Sequence, residues 1–335
     1  MSRIHVLVTI PRPLRDTVLN QATLAELATY ADISLNEDGR NWAGSELAAR
    51  LPRVDAILAS WGLATLTPEV LAQADRLKLI AYAAGSVKGF VTDAVYDRGI
   101  RVTHAAGRIA DSVADVTLLL AMMGLRKPQD FDRRLKAGEP WPEKREVDTY
   151  EIRGKRVGLL GLGYVGRRSS ALFQAVGAEV WGYDPYLPEA EAAAQGIRLV
   201  GLDELLQACK VISVHLPSTD ETHHMLGARE LALIQDGALF INTARASVVD
   251  QDALLQELQT GRFWAALDVF DPEPLPVDSP LRRLDNVLLT PHIAGLTRDS
   301  HFGMGSEMVA EIRRLFVDQV PLRYEITRER LAQMA

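Results

Sequence analysis

The amino-acid sequence predicts an α/β protein built from two doubly wound, parallel-sheet domains. Short apolar runs alternate with amphipathic segments along nearly all of its 335 residues, which is typical of βαβ units. One polar stretch near the middle interrupts this alternation, which then starts again. A chain of this length is also too long to fold around one small hydrophobic core, so two domains are expected.

The apolar runs in the first third of the chain predict four strands joined by helices. Thr67 and Pro68 are typical of the start of a helix, because a threonine oxygen caps free N–H groups and proline lacks one. We place strands at residues 4–9, 56–59, 79–83 and 101–103, and helices at 14–29 and 68–74.

A long apolar helix at about residues 109–127 follows, and a polar connecting arm at 132–154 comes after it. The arm is poor in aliphatic side chains and rich in proline, glycine and charge. The helix is expected to bury one face, made of Val113, Val116, Leu119, Leu120 and Met123.

The second half of the chain predicts a complete second domain of six strands. Helical segments separate the first five of them. The tail from about residue 296 to 320 carries apolar residues at helical spacing. The six apolar runs lie at 155–161, 178–184, 210–217, 238–244, 263–270 and 286–291.

The overall composition argues against several functions. The net charge of −7 leaves no basic excess to neutralise nucleic-acid phosphates, although a local basic pocket for a small anion is compatible with it. The single cysteine, Cys209, cannot form an intramolecular disulfide and closes a predicted helix as a small buried residue. No segment has the form of a signal peptide or a membrane-spanning helix, so we expect a cytoplasmic protein without a membrane partner.

A glycine-rich turn predicts a dinucleotide site. Gly161, Gly163 and Gly166 follow a predicted strand and open a predicted helix, with Tyr164 and Val165 between them. The first glycine permits a tight turn, the second lets a pyrophosphate approach the backbone, and the third lets helix and strand pack closely. The start of the helix then offers free N–H groups to the phosphates.

Asp184 ends the next predicted strand, about twenty residues further on. There it can accept hydrogen bonds from the adenosine ribose and repel a 2′-phosphate, which favours NAD over NADP as the cofactor. The alternative is that Asp184 is a turn residue before Pro185. Arg167 and Arg168 follow the last glycine, but a helix can expose both to solvent, so they do not reverse the preference.

Three ionisable residues, Arg245, Glu273 and His292, lie at or just beyond the ends of successive strands in the second domain. Ligands of open α/β sheets bind at this edge. Each residue alone has an ordinary explanation: a charge at a helix start, a loop carboxylate beside prolines, and a histidine at a strand end.

Together the three residues supply what the reduction of a carbonyl group requires. Negative charge grows on the oxygen as hydride reaches the carbon, so a proton donor and a fixed cation stabilise the transition state. Histidine changes charge near neutral pH, a carboxylate orients it, and arginine holds a carboxylate in a fork. We predict His292 as acid and base, Glu273 as its partner, and Arg245 as the anchor of a small anionic substrate.

With these motifs in place, the sequence resembles the D-isomer-specific 2-hydroxyacid dehydrogenase family. The resemblance covers nearly the whole chain beyond the N-terminal third and rests on GKRVGLLGLGYVG, GYDP, ISVHLPSTDETHHML, INTARASVVD, LDVFDPEPLP and NVLLTPHIAG. It implies an NAD-dependent enzyme that transfers hydride at C2 of a D-2-hydroxy acid. It also implies that Asp268 contacts the nicotinamide carboxamide, and that His215, Pro217 and Thr243 line the cofactor cleft.

The resemblance further implies two similar domains with the active site in the cleft between them. A flavodoxin-like substrate domain is expected from residues 1–104 and 295–335, and a Rossmann NAD-binding domain from residues 105–294. A homodimer formed through the long helix and the arm is implied as well. No regulatory domain fits beyond residue 335, which disfavours the longer phosphoglycerate dehydrogenases.

The sequence departs from the family pattern at two places. Ala246 stands where the family usually has glycine after the arginine, which is a mild change. The loop with Gly85, Ser86 and Lys88 is similar instead to that of phosphite dehydrogenase, in which the lysine helps to hold an anionic substrate. We expect this loop to bind substrate, with Lys88 as a second cation; the alternative is a solvated loop lysine.

Two other functions stay open. One is an NAD-dependent phosphite-type oxidoreductase that uses the same three residues and Lys88. The other is an NAD-sensing corepressor, because family relatives with this scaffold regulate transcription and retain these residues. The adjacent His223 and His224 predict no metal site, since their side chains point apart and no acidic or thiol partner shows ligand spacing.

Overall fold

The computed structural model describes residues 3–143 and 148–332. Within these ranges the strands are β1 (Ile4–Val8), β2 (Ala31–Leu35), β3 (Ala56–Ala59), β4 (Leu79–Tyr82), β5 (Arg101–His104), β6 (Arg156–Leu160), β7 (Glu179–Tyr183), β8 (Arg198–Leu199), β9 (Val211–Val214), β10 (Leu239–Asn242), β11 (Trp264–Leu267) and β12 (Val287–Leu289).

The α-helices of the same ranges are α1 (Leu14–Val18), α2 (Gln21–Ala28), α3 (Gly44–Ala48), α4 (Pro68–Leu71), α5 (Asp93–Asp97), α6 (Ala106–Arg126), α7 (Pro128–Lys136), α8 (Tyr164–Ala175), α9 (Glu189–Ala194), α10 (Leu202–Ala208), α11 (Ala228–Ala232), α12 (Gln251–Gln259), α13 (Arg298–Arg313) and α14 (Arg328–Ala332). None of the described helices is long and apolar enough to span a membrane.

The chain divides into two compact units. The first unit comprises the residues up to Ile109 and those from Leu296 onward, and the second comprises Ala110–Gly295. We expected these divisions after residues 104 and 294. Helix α6 begins in the first unit and continues into the second.

The first unit holds a parallel sheet with the strand order β2-β1-β3-β4-β5, which is the flavodoxin-like order. Every pair in it is parallel, and the register pairs Val6 with Ala56 and Ile57 with Ile80. Strands β3 and β4 are buried along their whole length, because helices cover both faces of such a sheet. The fold class predicted for this domain is confirmed.

The second unit holds a seven-stranded sheet in the order β12-β11-β10-β9-β6-β7-β8, again with every pair parallel. The order reverses between β6 and β9, so a crevice opens at the carboxyl ends of these two strands, where nucleotides bind in doubly wound folds. The Rossmann-type fold predicted for this domain is therefore confirmed.

Several predicted elements differ in detail from the structure. Strand β2 was missed because it lies at a sheet edge and alternates polar with apolar residues, and the two-residue β8 is too short to give a pattern. The single helix predicted at 14–29 is two helices, because the backbone is extended at Asn20 and the Asn20 side chain caps α2 by accepting from the Thr23 N–H. Residues 132–136, predicted as part of the arm, belong to α7, whereas residues 144–147 of the arm lie outside the described residues.

One residue of the apolar face predicted for the long helix is not buried within the single chain. Val113 and Leu120 are buried, but the Leu119 side chain is 54% exposed, and Met122 is exposed beside it. Consecutive helical residues point about 100° apart, so Leu119 and Leu120 cannot both face the same core. Cys209 ends α10 in the core as predicted, and burial raises the pKa of its thiol to about 12.

Candidate active site

The glycine-rich turn adopts a geometry that glycine alone permits. Gly161 follows β6 with φ +92°, and a Cβ there would lie 2.8 Å from the carbonyl oxygen of His215. A Cβ on Gly166 would lie 2.1 Å from the Gly161 carbonyl oxygen, so helix α8 packs directly on the turn. A Cβ on Gly163 would meet nothing within 4 Å, which leaves that stretch of backbone open to a ligand.

Helix α8 starts at this turn, and its N-terminus has no side-chain cap among the described residues. Gly163 is its N-cap, and no described side chain caps the first N–H groups of this 12-residue helix. Tyr164 is exposed and Val165 half-buried at its first two positions. Free N–H groups and the positive end of the helix dipole suit a pyrophosphate, so this part of the chain fits a dinucleotide.

Asp184 follows β7 and lies against the glycine turn. Its Oδ2 accepts a hydrogen bond from the Leu162 N–H at 2.8 Å, and its Oδ1 accepts one from the Tyr186 N–H at 2.9 Å. Leu162 and Asp184 are 22 positions apart in the sequence but are in direct contact in the fold, as expected for the acidic residue of a Rossmann turn.

The predicted cofactor-lining residues follow two neighbouring strands. His215 and Pro217 come after β9, and Thr243 comes after β10. The His215 ring nitrogens are buried with no hydrogen-bond partner among the described residues, and burial lowers the pKa of this histidine to about 3. The hydroxyl groups of Thr243 and Thr117 lie 3.1 Å apart, which ties this edge to α6.

Arg245, Glu273 and His292 line one surface depression in the second unit. The His292 Nδ1 lies 2.8 Å from the Glu273 Oε2, and both side chains stay partly exposed, at 49% and 38%. The Glu273 Oε1 also accepts the Phe270 N–H at 3.3 Å, so the carboxylate is held from two sides. Three residues that are up to 47 positions apart in the sequence thus share one small site.

Arg245 is the most buried member of the three. Burial lowers the pKa of its guanidinium, while the negative charge of Glu273 raises it, and an arginine stays protonated in either case. The preceding Asn242 shapes the turn, because its side chain accepts the Ala244 N–H and donates to the Arg245 carbonyl, each at 3.0 Å. Sequence reasoning missed Asn242, although a polar residue that ends a buried strand is a usable signal.

The loop that carries His292 is bound to the buried carboxylate of Asp268. Its Oδ1 accepts the Thr290 hydroxyl at 2.6 Å and the Ile293 N–H at 2.9 Å, and its Oδ2 accepts the Ala294 N–H at 2.9 Å. Asp268 is fully buried. These bonds hold the residues on both sides of His292, so Asp268 fixes the position of this loop.

The loop is also held from α6, and it has an unusual backbone. The Ser112 hydroxyl donates to the Ala294 carbonyl at 3.0 Å. His292 itself has φ +53°, in the left-handed region that few residues other than glycine adopt. Neither Ser112 nor Thr290 was found from the sequence, because each acts only through a partner that is distant in the chain.

Ala246, the departure from the usual glycine, fits its position. It begins a short 3-10 turn (Ala246–Val248) and is buried. A 3-10 turn has negative φ, so a Cβ brings no backbone strain here. The departure leaves the Arg245 turn intact.

The predicted substrate loop lies in the first unit, at the carboxyl end of β4. Gly85 and Ser86 are half-buried and Lys88 is exposed. The Gly85 carbonyl lies 2.8 Å from the Nδ1 of His104, and burial lowers the pKa of that histidine. His104, which ends β5, was missed by sequence reasoning, and it anchors the backbone of this loop.

Within the described ranges, no three histidine, cysteine or acidic side chains form a cluster that could hold a metal ion. The expectation that the side chains of His223 and His224 point apart is wrong, because their rings stack at 4.0 Å between centroids. His224 has φ +50°, so the two residues do not belong to a regular helix or strand, in which neighbouring side chains diverge.

Comparisons with known proteins show the family of this chain. A family model for the NAD binding domain of D-isomer specific 2-hydroxyacid dehydrogenases matches residues 117–294, more than half of the chain. A glyoxylate reductase of Korarchaeum cryptofilum is 32% identical over 308 residues, which is 90% of this chain and 91% of that protein.

Two further relatives extend the comparison. A D-3-phosphoglycerate dehydrogenase of Archaeoglobus fulgidus is 35% identical over 268 residues, which is 80% of this chain and 50% of that protein, so the chain spans about half the length of such relatives. The solved structure of a phosphoglycerate oxidoreductase from Rhizobium etli has a TM-score of 0.81 at 26% identity and covers 97% of this chain and 99% of its own. The chain therefore belongs to the D-isomer specific 2-hydroxyacid dehydrogenase family, and its cofactor is NAD.

Proposed function

We propose that this protein is an NAD-dependent dehydrogenase that interconverts a small D-2-hydroxy acid and the corresponding 2-keto acid. The observation that carries the proposal is the His292–Glu273 pair, which shares one depression with the cation Arg245. The same unit holds the glycine turn and Asp184, which fit a dinucleotide. When bound, the cofactor supplies the site that gives or takes the hydride.

In this proposal His292 moves the proton. Its Nδ1 is occupied by Glu273, so Nε2 is the nitrogen that donates to the carbonyl oxygen during reduction and accepts from the hydroxyl during oxidation. Glu273 holds the imidazole in one orientation through its contact with Nδ1. The pair thus stabilises negative charge where it grows on the substrate oxygen.

Arg245 anchors the substrate in the same proposal. A guanidinium donates two parallel hydrogen bonds to a carboxylate, which places C2 of the substrate in one orientation. Burial of Arg245 strengthens this contact, because a charge in a low-dielectric site is poorly screened by water. We also propose that the backbone of Gly85 and Ser86 and the Lys88 side chain bind the substrate, and that the first unit is the substrate domain and the second the NAD-binding domain.

The cofactor contacts are part of the proposal. His215, Pro217 and Thr243 line the nicotinamide side, and Asp268 contacts the carboxamide. Among the described residues, the Asp268 Oδ2 accepts one hydrogen bond, from the Ala294 N–H, which leaves one lone pair for such a contact. The residue is otherwise engaged with the His292 loop, so its support for that loop is the stronger interpretation.

We further propose a cytoplasmic homodimer formed through α6 and the arm after it. Leu119 and Met122 on α6 and Leu135 on α7 are exposed apolar side chains, and a second copy would cover them. Size-exclusion chromatography with light scattering tests this assembly, and a monomer at micromolar concentration would contradict it.

The proposed reaction is tested with a substrate panel followed by NADH absorbance. Glyoxylate, hydroxypyruvate, pyruvate, longer 2-keto acids and 3-phosphohydroxypyruvate are offered with NADH, and phosphite is offered with NAD. We expect turnover of at least one small 2-keto acid, in line with the glyoxylate reductase relative. If phosphite alone were turned over, the substrate would be phosphite and not a 2-keto acid. Tight NADH binding without any turnover would indicate an NAD-sensing protein.

The variant His292→Asn tests the proton transfer. We expect kcat to fall about 10³-fold, within the range for the loss of a general acid, while NADH binding is kept. His5→Asn, a histidine that contacts Ser34 in the first unit, is the matched control and should keep wild-type turnover. A wild-type rate for His292→Asn would show that the catalytic assignment is wrong.

A further inference from the structure

Arg167 lies at the glycine turn, where it could reach the cofactor. We propose that Glu191 is a specificity-determining residue that holds Arg167 in an ion pair and thereby weakens the binding of Arg167 to the 2′-phosphate of NADP. The proposal rests on the dinucleotide site proposed above and goes beyond the role of Asp184.

The position of Arg167 follows from its contacts. It lies in the first turn of α8, and its Nε donates to the Leu162 carbonyl at 2.8 Å. The N–H of the same Leu162 donates to the Asp184 Oδ2 at 2.8 Å. The guanidinium and the carboxylate thus bind opposite ends of one residue, so Arg167 lies next to the acid expected to hold the ribose hydroxyls.

The charge of Arg167 is already paired. Its Nη1 donates to the Oε1 of Glu191, which lies on α9, and the two side chains are 38% and 48% exposed. The neighbouring Arg168 is paired with Asp111 and donates to the Tyr164 carbonyl. Both arginines that follow the last glycine are therefore occupied by carboxylates of the chain itself.

A partly exposed ion pair of this kind is weak enough to be exchanged. Exposed pairs of this kind stabilise a protein only weakly, so a phosphate that binds arginine through two hydrogen bonds competes with the carboxylate. A 2′-phosphate would have to displace Glu191 from Arg167 while it is repelled by Asp184. NAD meets neither cost, because its ribose carries only hydroxyl groups there.

A third carboxylate is linked to Asp184 through Tyr186. The Tyr186 N–H donates to the Asp184 Oδ1, and the Tyr186 hydroxyl donates to the Oε2 of Glu221 at 2.6 Å. Asp184 and Glu221 therefore bind opposite ends of Tyr186. As long as Glu191 neutralises Arg167, the charge of Asp184 beside the glycine turn is not offset by that arginine.

The test measures binding of adenosine fragments, so it does not depend on turnover. The ratio of the Kd values for 5′-AMP and 2′,5′-ADP is measured by calorimetry for the wild type, Glu191→Gln and Glu189→Gln. Glu189 lies on α9 too and is exposed, so its variant changes net charge equally. We expect Glu191→Gln to improve the relative affinity for 2′,5′-ADP about fivefold and Glu189→Gln to change it less than twofold.

Double and triple variants identify the cation. Asp184→Ser/Glu191→Gln should prefer 2′,5′-ADP more strongly than Asp184→Ser alone, and adding Arg167→Gln should abolish that gain. Equal gains for Glu191→Gln and Glu189→Gln would overturn the proposal, because net charge alone would explain them. A gain that persists without Arg167 would overturn it as well.

The outcome can be separated from a failure of the proposed reaction. A wild type that binds NADH and the fragments but reduces no 2-keto acid would contradict the proposed reaction. The ratio of the Kd values for 5′-AMP and 2′,5′-ADP could still be measured for Glu191→Gln. A wild type that binds neither NADH nor 5′-AMP would contradict the dinucleotide site itself and this proposal with it.

Discussion

The carboxyl ends of the two sheets are organised differently. In the second unit, the ionisable side chains are fixed by other groups: His292 by Glu273, and its loop by Asp268. In the first unit, the loop after β4 is fixed through its backbone, by His104 at Gly85, while the Lys88 side chain is exposed. In the proposed function, the second unit therefore holds the catalytic side chains in fixed positions. The first unit presents exposed side chains that can vary with the substrate.

Among the variants that test this comparison, the largest effect is expected from Asp268→Asn, in the second unit. An amide nitrogen cannot accept the hydrogen bonds that Asp268 takes from Thr290, Ile293 or Ala294, and an unsatisfied buried donor costs about 1–3 kcal/mol. We expect kcat to fall about 10- to 100-fold as His292 is displaced. The NADH Kd should change less than threefold, measured by fluorescence titration.

Two variants accompany this measurement. Thr290→Val removes one of the three donors at nearly constant volume and should lower kcat by a smaller factor than Asp268→Asn. Asp278→Asn, an exposed aspartate in the same segment of the chain, should have no effect. If Asp268→Asn weakened NADH binding and left kcat intact, the carboxamide contact would be its main role.

A smaller effect is expected for the stability of the second unit as a function of pH. Burial lowers the pKa of His215 from 6.5 to about 3, so between these values the unfolded chain binds a proton that the folded chain does not. The stability contributed by the neutral ring is complete above pH 6.5 and is lost as the pH falls toward 3.

The His215→Asn variant removes this dependence. Its free energy of unfolding, from urea titrations at pH 4.5 and 7.5, should fall less on acidification than that of the wild type. His223→Asn, an exposed histidine, serves as the control and should follow the wild type. Identical slopes for His215→Asn and the wild type would show that His215 is protonated in the folded state.

The smallest effect is expected from Lys88→Ala, on the variable side of the comparison. A partly solvated lysine attracts an anionic substrate weakly, so kcat/KM for the best substrate should fall about fivefold, and less at high salt. Lys78→Ala, an exposed lysine at the other end of β4, is the matched control. An unchanged kcat/KM for Lys88→Ala would make Lys88 a solvated loop residue.

The sequence was sufficient for features that are local or that follow from the ends of strands. The glycine turn, Asp184 and the three ionisable residues could be placed because each directly follows an apolar run, and parallel strands end at a common edge. The same reasoning predicted both sheets. It failed at β2, whose alternating residues at a sheet edge carry no continuous apolar run.

Features that depend on tertiary contacts could not be predicted. The role of Asp268 toward the His292 loop requires donors 22 to 26 positions away in the chain, and the role of Ser112 requires a partner 182 positions away. The exposure of Leu119 depends on which helix face meets the sheet, and hydropathy alone does not give that. The ion pair of Arg167 with Glu191 likewise exists only once α8 and α9 pack in the second unit.

The left-handed backbone of His292 has a practical consequence for trapping complexes. At φ +53°, most residues with a Cβ are strained by about 1–2 kcal/mol, whereas asparagine tolerates this region better than nearly all others. His292→Asn therefore removes the imidazole and keeps the turn that the loop requires. A valine or phenylalanine there would disturb the loop as well as the chemistry, so the asparagine variant is the form to crystallise with cofactor and substrate together.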